Sequence, residues 1–146
     1  MAKYKAFDNV VEVNAETILS VVDGMGSFKA MGSQILEKNG ITSLEPGKWY
    51  PQKSWLSAFQ DISKQVGPMT LFTIGKKIPE NAKFPPNVTD VHSALAVIDV
   101  AYHMNHRNGE IGHYVYGKTG ERSAVVTTQT PYPSDFDRGL IDARAE

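Results

Sequence analysis

Residues 90–107, DVHSALAVIDVAYHMNHR, are the stretch on which the reading of the fold turns. At roughly 100° per residue along a helix, His92, Ala96, Asp99, His103 and His106 fall on one narrow stripe. Val91, Ala94, Leu95, Val97, Ile98, Val100, Ala101, Tyr102 and Met104 occupy nearly all the remaining circumference. A helix apolar over most of its girth must be covered on several sides, so the pattern predicts one buried helix with a single polar seam. The other elements are expected to pack around it, and what the seam faces becomes the functional question.

Working back toward the N-terminus, PENAKFPPNVTD (79–90) carries three prolines in eight residues and reads as a structured loop with Phe84 tucked inward. Thr89 or Asp90 can cap the helix that follows. PMTLFTIGKKI (68–78) reads as a helix whose internal Gly75 implies close packing against a neighbour. Before it, Pro51 suits a first helical position, and Trp55, Leu56, Phe59 and Ile62 repeat at helical spacing. Trp49, Tyr50 and Trp55 crowd three large aromatics into seven residues, either to wall an apolar ligand pocket or to anchor the helix start in the core. Phe7 to Val13 is expected as a strand, Asn14 as the cap of a helix, and Gly24-Met25-Gly26 as the joint to a second helix capped by Ser27 and stopped at Gly40.

On the C-terminal side, Asn108-Gly109 is expected to break the helix. EIGHYVYG and ERSAVVTT then flank a Lys118-Thr119 tip in a β-hairpin, with Ile111, His113 and Val115 on one face of the first strand and Gly112, Tyr114 and Tyr116 on the other. Pro131 and Pro133 end the second strand. Ser134 is positioned to cap a last helix, with Asp137 three residues on in a capping-box arrangement. The predicted architecture is α+β: a helical layer packed on a small antiparallel sheet, with a C-terminal hairpin, in a single domain over residues 1–146.

A formal net charge of -1 gives no electrostatic reason to expect nucleic acid or an anionic membrane. The absence of cysteine excludes disulfides, thiolate metal sites and cysteine nucleophiles. No apolar run reaches signal-peptide or membrane-span length, so the expected setting is the cytoplasm. Catalytic patterns are missing: there is no G-x-S-x-G elbow, no phosphate-loop spacing beside Lys76-Lys77, and Glu110, Asp135 and Asp137 suggest only surface and capping roles. Asp99, His103 and His106 can converge on a helix in a way that suits a metal. The metalloprotease H-E-x-x-H is absent, a further ligand such as His113 would be needed, and the expectation is that no metal is held. Arg138, in Asp135-Phe136-Asp137-Arg138, either meets an anion or closes a local salt bridge.

Taken in order, Tyr50-Pro51, Trp55-Leu56, Ile74-Gly75-Lys76, the apolar helix, the hairpin and Pro133-Ser134-Asp135-Phe136 leading into Gly139-Leu140-Ile141 resemble the haem-nitric-oxide-binding and 4-vinyl-reductase-like superfamily. The likeness spans Tyr50 to Ile141. It implies a helical layer and small sheet enclosing a pocket for a small hydrophobic or tetrapyrrole-like ligand, often in a sensory module. By position, the implied pocket residues are Trp49, Tyr50, Trp55, Tyr102, His103, His113 and Tyr114. The haem branch's Tyr-x-Ser-x-Arg clamp is not matched by Tyr114-Val115-Tyr116-Gly117-Lys118, and Ser134 stands where a cysteine occurs in some members. The leading expectation is therefore a non-enzymatic ligand-binding or sensory domain for a small hydrophobic molecule, its cofactor unknown and Arg138 added to the ligand-binding set. The alternative is a homodimeric interaction module, and the third reading is an enzyme of unrecognised type.

Overall fold

A computed structural model describes residues 3–86 and 88–145. The protein is α+β, 54% helical and 16% strand. The chain opens with β1 (Glu12–Asn14), shorter than the strand expected from residue 7, and passes directly into α1 (Ala15–Gly24). Asn14 makes that junction: its side-chain oxygen accepts from the Thr17 amide at 3.1 Å and the Thr17 hydroxyl at 2.6 Å. A short 3-10 turn over Gly26–Phe28 leads to α2 (Lys29–Lys38), which begins without the side-chain cap expected from Ser27. Then come β2 (Trp49–Pro51), α3 (Gln52–Val66) and α4 (Pro68–Asn81), with Pro51 at the cap of α3 rather than its first turn. β1 lies between β2 and β3 (His106–Arg107), antiparallel to both, with Val13 opposite Tyr50 on one side and His106 on the other.

The expected single helix over residues 90–107 is two. Asp90 caps α5 (Val91–Ala96) in a capping box with Ser93. The backbone tightens at Val97 (φ -91°, ψ 0°), and α6 (Ile98–Met104) follows. The helix is interrupted there, so the wheel drawn for one continuous helix does not hold. Val91, Val100 and Met104 are exposed, while Leu95, Ile98 and Tyr102 face the core. Two side chains finish α6 by taking its last carbonyls. Asn105 donates to Ala101 O at 2.7 Å and His106 Nδ1 to Tyr102 O at 2.8 Å. With those acceptors occupied, the chain leaves the helix before Asn108-Gly109, and His106 sits on β3 rather than on the helical seam.

The molecule is organised around α4 instead. α4 packs against α1 on one side and against α7 (Ser134–Ala145) on the other. Glycines set both approaches. A methyl group on Gly75 would collide with the Phe136 carbonyl oxygen of α7, one on Gly139 with the Phe72 carbonyl of α4, and one on Gly24 of α1 would stand 2.6 Å from the Ile74 Cα. The helix backbones can come this close only because no Cβ intervenes. α3 brings Trp55, Leu56, Phe59 and Ile62, all fully buried, onto the same apolar cluster.

β4 (His113–Gly120) and β5 (Ser123–Gln129) form a separate hairpin lying against α5 and α6. Its tip is Glu121-Arg122, not Lys118-Thr119. Lys118 pairs with Ala124 and Gly120 with Ser123, with Thr119 bulged out between them. The bulge lets the strand run on past the expected turn. From His113 on, the alternation of faces is as expected: Tyr114 is buried and Tyr116 half-buried, while His113 and Val115 are exposed. Ile111 lies before the strand and is buried, not on the exposed face with His113.

Candidate functional site

The polar residues of the 90–107 segment are divided among three places. The first is interior. His106 is enclosed, its Nε2 2.6 Å from the Tyr132 hydroxyl, which also lies 3.2 Å from the Gln52 side-chain amide. Because Nδ1 faces a carbonyl oxygen, which can only accept, the proton resides on Nδ1 and Nε2 accepts from Tyr132. Burial pushes this imidazole down to about 4, so it is neutral. Nearby, Asp137 turns inward instead of capping α7. The Tyr114 hydroxyl donates to one of its oxygens and the Thr130 hydroxyl to the other at 2.7 Å. Burial raises this carboxyl to about 6, against the pull of the two hydroxyl donors. The Tyr102, Tyr114 and Tyr132 hydroxyls are raised above their ordinary range, chiefly by burial.

His106 and the three tyrosines border a cavity of about 30 Å³ whose remaining lining is apolar side chains such as Phe136 together with Thr17 and Asn105. That is room for roughly one water molecule, against the several hundred Å³ of a site for an organic ligand. The pocket expected around Tyr102, His103, His113, Tyr114 and the tryptophans is thus not one space. Trp55 is buried edge-on to Phe59, with ring centroids 4.4 Å apart. Trp49 is half-buried beneath the Arg107 guanidinium, 4.4 Å from its ring, and the Tyr50 hydroxyl donates to Ser43 O. Arg138 lies over the Phe72 ring and 3.4 Å from Asp135, closing the local salt bridge rather than meeting an anion.

The second place is on the surface. Asp99 and His103 of α6 meet His113 from the first residue of β4. Asp99 Oδ2 lies 3.3 Å from His113 Nδ1 and 3.7 Å from His103 Nδ1, and Asp99 Oδ1 accepts from the Tyr114 amide at 2.9 Å. The two imidazoles stack, centroids 5.0 Å apart with planes tilted by 32°. His106 therefore drops out of the set Asp99, His103 and His106, and His113 takes its place. Both nitrogens of His106 are committed inside the core, whereas His113 stands on the same side of the molecule as Asp99.

The third place is where α5 meets the hairpin tip. His92 Nδ1 lies 2.6 Å from the Tyr116 hydroxyl and Nε2 2.7 Å from Glu121 O. Nε2 must carry the proton toward that carbonyl, leaving Nδ1 to accept from Tyr116. His92 is therefore a tie between helix and hairpin, not the free end of a seam. Beside it runs an open groove of about 510 Å³ between α5, the hairpin and α7. Leu95, Ala124, Val126 and Ile141 supply its apolar lining; His92, Glu121, Arg122 and Ser123 supply its polar edge. None of the residues expected to form a ligand pocket lines this groove, although His92 of the polar seam and Leu95 of the apolar girth do. Its walls come from elements distant in the chain, and only the half-buried alternation of β5 hinted at them.

Among the described residues no helix is long and apolar enough to cross a membrane. Compared with protein-family models, with curated proteins and with solved structures, the chain matches none.

Proposed function

We propose that this chain is a small-molecule-binding domain that holds an amphipathic ligand, an apolar body with an anionic end, in the groove between α5, the β4–β5 hairpin and α7. The observation that carries this reading is the groove itself. Its volume of about 510 Å³ falls within the few hundred to one thousand Å³ usual for small-molecule sites, and its lining is mostly apolar. Arg122 at the hairpin tip adds a guanidinium with no ion-pair partner among the described residues, which suits a carboxylate. The sensory role and kinship with the haem-nitric-oxide-binding and 4-vinyl-reductase-like superfamily belong to the same proposal and rest on the sequence resemblance alone. The cytoplasmic setting, also proposed, rests on the lack of any apolar run of signal-peptide or membrane-span length in the sequence.

Dodecanoate is a suitable probe. Titrated into the full chain, it is expected to shift the methyl resonances of Leu95, Val126 and Ile141 in a saturable way, and Ala124→Trp, which fills the groove from the hairpin side, is expected to abolish the shift. Native mass spectrometry of freshly purified protein reports any co-purifying ligand. Unmoved groove methyls together with a bare monomer would overturn the proposal. A dimer without a ligand would instead favour a homodimeric interaction module, for which the support is the exposed Val115 and Val125 on the outer face of a hairpin only two strands wide.

A further inference from the structure

The cluster at the base of the hairpin has a different chemistry from the groove at its tip. One nitrogen from each of His103 and His113 and one carboxylate oxygen of Asp99 lie within 4.8 Å of one another. We propose that these three residues form a binding site for a divalent transition metal ion of the zinc class, with the remaining coordination positions open to solvent.

Ligand atoms about 2.0 to 2.2 Å from a shared ion stand roughly 3 to 3.5 Å apart, so the three need only close inward by rotating. Nothing in the packing opposes this. The side chains of His103 and His113 are 42% and 50% exposed. The carboxylate is already aimed, because the Tyr114 amide holds Asp99 Oδ1 and leaves Oδ2 facing the two rings. His103 Nδ1 lies 2.8 Å from the Asp99 backbone oxygen; a proton placed there leaves the lone pair on Nε2, the tautomer metal-binding imidazoles adopt when a carbonyl takes their other N–H. Two imidazoles and one carboxylate are borderline donors that suit zinc, iron(II), cobalt(II) or nickel(II) and are poor for calcium or magnesium. Over the cluster lies a shallow, open depression whose other walls are Val100 and Met104. Among the described residues no further His, Asp or Glu joins the cluster, so water or an exogenous donor completes the shell, as in three-ligand sites.

The test uses the full chain, free of any affinity tag. Calorimetric titration with Zn²⁺ at pH 7.5 is expected to give one equivalent per chain, and His103→Ala, His113→Ala and Asp99→Asn are each expected to weaken binding by more than the roughly 10- to 100-fold that loss of an outer-shell partner alone causes. His92→Ala, at the other end of the hairpin, is expected to bind as the parent does. Saturating Zn²⁺ should raise the melting temperature of the parent but not of the His103 and His113 variants, and the same melts report whether each variant is folded. In imidazole ¹⁵N spectra the metal should move His103 and His113 and leave buried His106 in place. Absence of a saturable equivalent, full affinity in His113→Ala, or a loss in His92→Ala equal to that in His103→Ala would overturn the site.

Discussion

Two buried groups with opposed preferences set the pH response at the level of single residues. His106, held down at about 4 by burial, stays neutral where an ordinary histidine takes up a proton near 6.5. The unfolded chain therefore binds more protons between those values, and stability from this group, complete above about 6.5, is lost as pH falls toward 4. Asp137, raised to about 6, takes up a proton in the fold before it does so in the unfolded chain. Its contribution is complete below the ordinary carboxylate value and is lost as pH rises through 6. Each amounts to about 3 kcal/mol, and across the shared window the two largely cancel. Asp137→Asn keeps an acceptor for Tyr114 and removes one side of the balance. Urea midpoints of that variant are expected to fall steeply between pH 6.5 and 4, by the equivalent of about 3 kcal/mol, whereas the parent stays nearly flat there. Parallel profiles for the two proteins would rule out His106 and Asp137 as the opposing groups.

Among the elements, α5 and α6 carry the clearest contrast between what faces the core and what does not. Ile98 is 1% exposed and Val100 52%, although the two lie only two residues apart, on either side of Asp99, in a largely apolar segment. Ile98→Ala is expected to cost about 2 to 5 kcal/mol through a cavity, whereas Val100→Ala should change stability by no more than about 0.5 kcal/mol. Equilibrium denaturation separates these outcomes, and equal losses would restore a single helix buried all round. The tie between α5 and the hairpin can be probed as well. His92→Ala removes both hydrogen bonds to the hairpin, which should cost about 1 to 2 kcal/mol and speed amide exchange in β5 near Ser123 and Ala124. Unchanged exchange there would mean that strand pairing alone holds the tip.

At the scale of the whole molecule, the close approach of α4 and α7 is the feature on which the rest depends. Gly75 and Gly139 each lie against a carbonyl oxygen of the other helix, and backbone cannot retreat as a flexible side chain can. Gly139→Ala is therefore expected to lower stability by at least about 1 to 3 kcal/mol, despite its better helix propensity, as read from the thermal midpoint. A gain in stability would mean that the two helices can separate at little cost. Local rules made several parts legible in the sequence: Asn14 as a cap, the pair Thr89 and Asp90 of which Asp90 caps α5, the apolar spacing of α3, the close packing implied by Gly75, and the alternation along β4 from His113 on. The caps, the spacing and the alternation follow from interactions within a few residues of the position concerned, whereas Gly75 marks a close approach without naming Phe136 of α7, which makes it. What local rules could not supply was the partner. Periodicity cannot see that Asn105 and His106 occupy the last carbonyls of α6, so the predicted helix ran too long and placed His106 on the seam. For the same reason the Lys118-Thr119 tip was misplaced: the bulge is stabilised by pairing across the hairpin, not by the turn residues. Only the tertiary structure decided that His113, ten residues beyond His103, would stand beside Asp99, and that the groove would lie between α5, the hairpin and α7. Such sites arise where separate elements meet, and the position of one element against another is fixed by long-range packing that no single stretch of the chain encodes.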